Sequence, residues 1–116
     1  MSDIQARHDR LNQAILAGKG MDLFDELYAD DITMQENTDA PCVGKKQNHE
    51  REAQFFAAVE QWYGAKLLSS AVAGDVSFSE WEFDVQFKGA PRAPMTQVSV
   101  RRWKNGQIVH ERFYHK

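Results

Sequence analysis

The chain has 116 residues and a formal net charge of -3. This length supports one hydrophobic core and predicts a single domain over residues 1–116. A mildly acidic chain has no general attraction for phosphate or anionic lipid, so neither nucleic acid nor a membrane is an expected partner.

The cellular setting is predicted from what the sequence lacks. Cys42 is the only cysteine, which excludes an internal disulfide. The start, MSDIQARHDR, has no apolar stretch typical of a secretory signal. No segment reaches the roughly 18 apolar residues that crossing a bilayer requires. We therefore expect a cytoplasmic protein.

Three helices are predicted in the first half of the chain. The first carries apolar residues at helical spacing, can be capped by Ser2 or Asp3, and ends at Gly18-Lys19-Gly20. Its apolar residues are Ile4, Leu11, Ile15 and Leu16. The second is short, with an apolar face of Met21, Leu23, Phe24, Leu27 and Tyr28, and the sequence LYADD closes it. The third is predicted over residues 44–62, and its first part, KKQNHERE, is expected to face solvent.

The second half of the chain changes to the alternating pattern of strands. Four strands are predicted, over residues 67–73, 76–87, 96–103 and 107–115, and a short β-like run at Ile32-Thr33-Met34 precedes Glu36. Asn105-Gly106 is typical of a tight hairpin turn. In the second strand Val76 and Phe78 differ in parity from Trp81 and Phe83, which predicts a β-bulge near Ser79-Glu80.

This order of elements predicts an α+β domain, in which helices pack on one face of a strongly bent antiparallel sheet. Three short helices cannot cover such a sheet completely. A cone-shaped cavity between helices and sheet is therefore expected.

The motifs LYADD, VGKK and NGQIVHERFY, in this order, resemble those of the nuclear transport factor 2-like superfamily. That superfamily includes ketosteroid isomerase, SnoaL-like polyketide cyclases, limonene epoxide hydrolase and scytalone dehydratase. The chain is most similar to SnoaL-like proteins over AVAGDVSFSEWEFDVQFK and TQVSVRRWKNGQIVHERFYH. The resemblance implies the cone-shaped, cystatin-like fold of that superfamily.

Ketosteroid isomerase offers a comparison for individual positions, since its second helix also ends in a Tyr-Ala-Asp-Asp run. Counting forward from Tyr28, the resemblance places the catalytic base at Glu36. In ketosteroid isomerase a tyrosine and an aspartic acid stabilise the oxyanion. The resemblance places the tyrosine position near Asn12 and the aspartic acid position at Ser99, so this chain has neither donor. Since serine is a weaker donor than a neutral carboxylic acid, steroid isomerisation itself is not expected.

The same resemblance implies which side chains face the cavity. His115 is expected beside Glu36, so that the two form an acid/base pair as the candidate catalytic residues. Arg101 and Glu111 are expected to pair across the last two strands, more as a structural ion pair than as a site. The candidate substrate-binding residues are Tyr28, Met34, Phe56, Trp81, Phe83, Ser99, Arg101, Glu111 and Phe113.

The opposite face of the sheet is expected to carry acids on one strand beside bases on the next. These residues are Glu80, Glu82, Asp84, Arg102, His110 and Arg112, and they suggest an interface for a homodimer. No metal site is expected, because His49 lacks a second histidine one helical turn away.

Two main functions therefore remain open at this point, beside a third, protein binding like that of the superfamily's transport member. The first is a domain that binds a small hydrophobic molecule, with cofactor-free isomerase, dehydratase or cyclase chemistry based on a carboxylate. The second is a non-catalytic module that binds a ligand or forms a homodimer.

Overall fold

The computed structural model describes residues 3–116, and it consists of helices packed on one face of a six-stranded sheet. The helical segments are α1 (Asp3–Leu16), a 3-10 turn (Gly20–Leu23), α2 (Phe24–Leu27) and α3 (Lys45–Ala58). The strands are β1 (Tyr28–Glu36), β2 (Cys42–Val43), β3 (Val59–Ala73), β4 (Val76–Phe87), β5 (Ala93–Lys104) and β6 (Gln107–Tyr114). Ser2, a predicted cap of α1, lies outside the described residues.

The strand order in the sheet is β2-β1-β6-β5-β4-β3. All neighbouring strands are antiparallel except β1 and β6, which run parallel, so the sheet is mixed. Helix α1 packs against β3 and β4, while α3 packs against β1, β2 and β3. The predicted α+β architecture is confirmed, with a mixed rather than a wholly antiparallel sheet, because β1 pairs in parallel with β6. Within residues 3–116, none of the helices has the length and apolar character needed to cross a membrane.

Two predicted element boundaries are wrong. Tyr28-Ala29-Asp30-Asp31 belongs to β1 rather than to the second helix, because Tyr28 already pairs with Ile108 of β6. Helix α3 ends at Ala58, and the segment 59–62 starts β3 by pairing with the far end of β4. Long-range strand pairing thus overrides the helical propensity of the Glu and Gln residues in this segment.

The predicted bulge in β4 is also wrong. Ser77, Ser79 and Trp81 are buried in unbroken alternation, whereas Phe78 is 38% exposed on the outer face. The register shifts lie instead in β3, one of them between Leu67 and Ser69. The sheet therefore bends at its edge strand, and two buried serines lie where the hydrophobic pattern alone suggested a change of face.

The outer face does not form the predicted acid-base pairs between neighbouring strands. Glu80 lies opposite Val98, and Arg102 lies opposite His110. The acids of β4 find other partners: Ser69 Oγ donates to Glu80 over 2.9 Å, Lys66 lies 3.9 Å from Glu82, and Arg92 lies 2.7 Å from Asp84. Strand register, which composition does not reveal, decides these contacts.

The hairpin turn between β5 and β6 has the predicted conformation. Asn105 and Gly106 adopt φ angles of 53° and 79°, the two positive values that a tight turn of this type requires. This turn fixes the register that places Arg101 opposite Glu111.

The interior contains two separate apolar clusters. One is built around Leu27, Ile32, Trp103 and Ile108, and the other around Trp81, Phe83 and Val85. Along β4 and β5, the stretch between these clusters carries buried polar side chains instead, among them Ser79, Ser99 and Arg101. The candidate site is located at this polar stretch.

Candidate functional site

A cavity of about 170 Å³ lies between the inner face of the sheet and helices α1 and α3. Most of its wall is apolar and aromatic, which is typical of sites for small molecules. The apolar lining includes Leu11, Ile15, Met21, Phe24, Met34, Phe55, Phe56, Trp62, Trp81, Phe83, Met95 and Phe113. The polar lining comprises Tyr28, Glu36, Arg51, Glu52, Gln97, Ser99, Arg101 and Glu111.

One polar part of this wall is the buried ion pair of Arg101 and Glu111. Arg101 Nε donates to Glu111 Oε2 over 2.9 Å, and both side chains are at most 2% exposed. Tyr28 Oη donates to the other oxygen, Glu111 Oε1, over 2.6 Å. Burial and the Glu111 charge raise the pKa of Tyr28, so its hydroxyl keeps the proton that it donates. Both oxygens of Glu111 are thus occupied.

Helix α1 supplies the acceptors for the other end of the guanidinium. Arg101 Nη1 donates to Asn12 Oδ1 over 2.8 Å and lies 3.2 Å from His8 Nδ1. Ser79 Oγ donates to the same Asn12 oxygen over 3.1 Å. Burial, together with the Arg101 charge, lowers the pKa of His8 to about 4. His8 is therefore neutral near pH 7, as a residue beside a buried cation must be.

One nitrogen of this network has no acceptor. Arg101 Nη2 is buried and lacks a hydrogen-bond partner among residues 3–116. A buried donor without a partner costs on the order of 1–3 kcal/mol, so it is an open position for an oxygen from outside the chain.

The second polar part of the wall is Glu36 with its two partners. Glu36 Oε1 lies 2.7 Å from His115 Nε2, and Glu36 Oε2 accepts from Arg51 Nη2 over 3.2 Å. Both side chains are partly exposed, 33% for Glu36 and 28% for His115. The structure thus brings the two predicted catalytic residues together, with Arg51 as a third group that the sequence did not suggest.

The predicted substrate-binding residues all line the cavity: Tyr28, Met34, Phe56, Trp81, Phe83, Ser99, Arg101, Glu111 and Phe113. Their roles toward a ligand stay predictions. Phe56 lies at the rim, with 37% of its surface exposed. His115 contacts Glu36 but does not itself line the cavity.

Glu52 is the cavity residue that the sequence analysis missed. Burial, reinforced by the charge of Glu111, raises the pKa of Glu52 to about 7. The stretch KKQNHERE is therefore not uniformly solvent-facing: Asn48, Glu52 and Phe55 repeat at intervals of four and three and share the inner face of α3. That helical spacing is the signal that could have identified Glu52.

Asn48 explains how α3 is held in place over the cavity. Its side chain is fully buried, and the two hydrogens of its Nδ2 are shared among three backbone carbonyls, those of Ile32, Cys42 and Gly44, at 3.3, 2.9 and 2.9 Å. This residue fastens the start of α3 to β1 and β2. Since Glu52 lies one turn further along α3, the same contacts fix its position.

Metal binding has no support in the part of the chain that the structure describes. Residues 3–116 contain no cluster of three His, Cys, Asp or Glu side chains with a geometry for a metal ion.

A family model for the SnoaL-like domain matches residues 2–115. The chain belongs to this SnoaL-like family. No curated protein matches it. Among solved structures, it is similar to a Mesorhizobium loti protein provisionally assigned as a SnoaL-like polyketide cyclase, with 25% identity, a TM-score of 0.83, and coverage of 99% of this chain and 100% of that one.

Two further structures share the fold with this SnoaL-like chain. A Catenulispora acidiphila protein with a ketosteroid isomerase-like fold, in complex with trimethylamine, has 23% identity and a TM-score of 0.68, covering 78% of this chain and 70% of that one. A Bacillus subtilis protein provisionally assigned as an isomerase has 12% identity and a TM-score of 0.81, with coverage of 100% of this chain and 90% of that one. These likenesses support the predicted cone-like fold.

The low pKa of His8 predicts a stability that falls in mild acid. Its pKa is about 4 in the folded chain against 6.5 in the unfolded one, so only the unfolded state takes up this proton between those values. The stability that depends on neutral His8 is fully present above pH 6.5 and is lost as pH falls toward 4. The free energy of unfolding should decrease by about 3 kcal/mol in total. Urea unfolding at pH 7 and pH 4 measures this loss.

The matched variants are His8→Gln and His49→Gln, the latter on the exposed face of α3. We expect His8→Gln to reduce the stability difference between the two pH values and His49→Gln to preserve it. An unchanged difference in His8→Gln would contradict the assignment of this acid sensitivity to His8.

Proposed function

We propose that this SnoaL-like chain binds a small, largely apolar molecule in its cavity and catalyses a cofactor-free proton transfer on it, with a carboxyl group as the base. Isomerisation, dehydration and cyclisation are the reactions of this class. The observation that carries the proposal is the cavity itself, because an apolar wall and several carboxyl groups meet in one space.

The aromatic part of the wall favours a flat ligand. Trp81 and Phe83 are stacked with their ring centroids 5.5 Å apart, and Trp62 lies 5.8 Å from Phe83. Such rings offer a large apolar surface with little conformational entropy to lose on binding. They hold a ligand by its faces, while the polar groups of the opposite wall orient it.

The polar part of the wall supports proton transfer rather than nucleophilic catalysis. Its groups are carboxyl groups, a tyrosine, two arginines, Gln97 and Ser99, and neither Cys42 nor a histidine of residues 3–116 lines the cavity. Glu36, with His115, is the predicted base. The names given to two structural neighbours, a polyketide cyclase and an isomerase, fall in the same class of reaction.

A second candidate function is a non-catalytic module that dimerises through the outer face of the sheet. It is favoured by exposed aromatic groups on that face: Phe78 is 38% and Tyr114 is 43% exposed, and the Arg112 guanidinium lies 4.8 Å from the Tyr114 ring centroid. Light scattering at increasing concentration should give a homodimer that Phe78→Lys dissociates. A monomer at all concentrations would contradict this proposal.

Filling the cavity tests the primary proposal. Ser99 is buried and lines the cavity, so Ser99→Leu adds an apolar side chain where a ligand would lie. Across a panel of small neutral aromatic compounds, we expect binding to raise the melting temperature of the wild type but not that of Ser99→Leu.

The control is Thr96→Leu, which adds the same kind of side chain to the exposed outer face of the same strand. This variant should respond to the compounds as the wild type does. If no compound raises the melting temperature of the wild type, or if Ser99→Leu responds equally, the proposed function is wrong.

A further inference from the structure

Three carboxyl groups line the cavity, and two of them are fully engaged. Glu36 is held by His115 and Arg51, and Glu111 is held by Arg101 and Tyr28. The third, Glu52, has no hydrogen-bond or ion-pair partner within residues 3–116. It is therefore the carboxyl group whose hydrogen-bonding capacity is available to a ligand.

The surroundings of Glu52 favour its neutral form. It projects from α3 into an apolar cavity, toward Glu111 on β6 and Glu36 on β1. The cations on this wall are already paired, Arg51 with Glu36 and Arg101 with Glu111, and Tyr28 donates to Glu111. Burial is the main cause, and the Glu111 charge the next, of a Glu52 pKa of about 7, with Arg51 opposing them.

We propose that protonated Glu52 is the group that contacts the ligand, and that it donates a hydrogen bond to the carbonyl oxygen of a neutral, largely apolar compound. This inference rests on the proposed function and assigns its substrate class. It assigns the hydrogen bond to the ligand to Glu52 rather than to Glu36, because both oxygens of Glu36 already have partners.

The charges of the cavity wall favour a neutral ligand over an anion. Each arginine on the wall is matched by a carboxylate, so no positive charge is left to stabilise an acid group on the ligand. Ionised Glu52 would repel such a group as well. Arg101 Nη2, a buried donor without an acceptor, adds a second reason to expect an oxygen on the ligand.

Two small probes of similar shape, acetophenone and benzoate, test this inference. Their binding can be followed at pH 6 and pH 8.5 through the fluorescence of Trp81 and Trp62, both of which line the cavity. Acetophenone should bind more tightly than benzoate at both pH values. Its affinity should fall roughly fivefold at pH 8.5, because ionised Glu52 no longer donates a hydrogen bond.

Three variants isolate the group responsible. Glu52→Gln keeps a neutral donor, so acetophenone should bind to it equally at both pH values. Glu50→Gln, at an exposed position of the same helix, should keep the wild-type pH dependence. Glu36→Gln removes a charge that helps to raise the Glu52 pKa, so it should keep a pH dependence whose midpoint lies at lower pH. A ¹³C titration of the wild-type glutamate carboxyls, which requires no mutation, should contain one midpoint near 7 that rises when acetophenone is bound.

The outcomes separate the two levels of the proposal. If neither probe binds at pH 6 and no compound of the panel raises the melting temperature, the proposed function fails. If acetophenone binds but keeps its pH dependence in Glu52→Gln, loses it in Glu36→Gln, or is outcompeted by benzoate, the cavity remains a binding site and the assignment to Glu52 is wrong.

Discussion

The buried ion pair between Arg101 and Glu111 is the constraint on which the rest of the interior depends. Two charges removed from water are tolerated only when nearly all their hydrogen-bonding groups are satisfied. Tyr28 at the start of β1 and Asn12 on α1 supply those partners from opposite sides of the pair. One interaction thereby ties a helix and three strands together, and it fixes where α1 lies on the sheet.

This pair also explains why the core is divided. The polar layer around Arg101 separates the apolar cluster at Trp103 from the cluster at Trp81. Apolar side chains cannot close over the layer without leaving its groups unpaired. The cavity lies against this layer, which gives it one polar wall and one aromatic wall. The proposed proton transfer on a small carbonyl compound would use both walls.

Strand periodicity predicted much of this arrangement, because alternation assigns each β residue to one face. Together with the resemblance to ketosteroid isomerase, it placed Trp81, Phe83, Ser99, Arg101 and Glu111 on the inner face. The Asn-Gly pair predicted the hairpin turn. The polar layer was harder to predict, since His8, Asn12 and Glu52 are hydrophilic residues on helices and hydrophobic patterns assign such residues to solvent. The end of α3 was misplaced because pairing between β3 and β4, which local sequence does not encode, decides it.

A double-mutant cycle on the Arg101-Glu111 pair tests this account most directly. Glu111→Leu should cost about 3 kcal/mol in the free energy of unfolding, because it leaves the buried guanidinium without a counter-charge. The double variant Arg101→Met/Glu111→Leu should cost less than the sum of the single changes, and it should no longer bind acetophenone. Additive losses, or a double variant that binds the probe like the wild type, would contradict the claim that this pair organises the cavity.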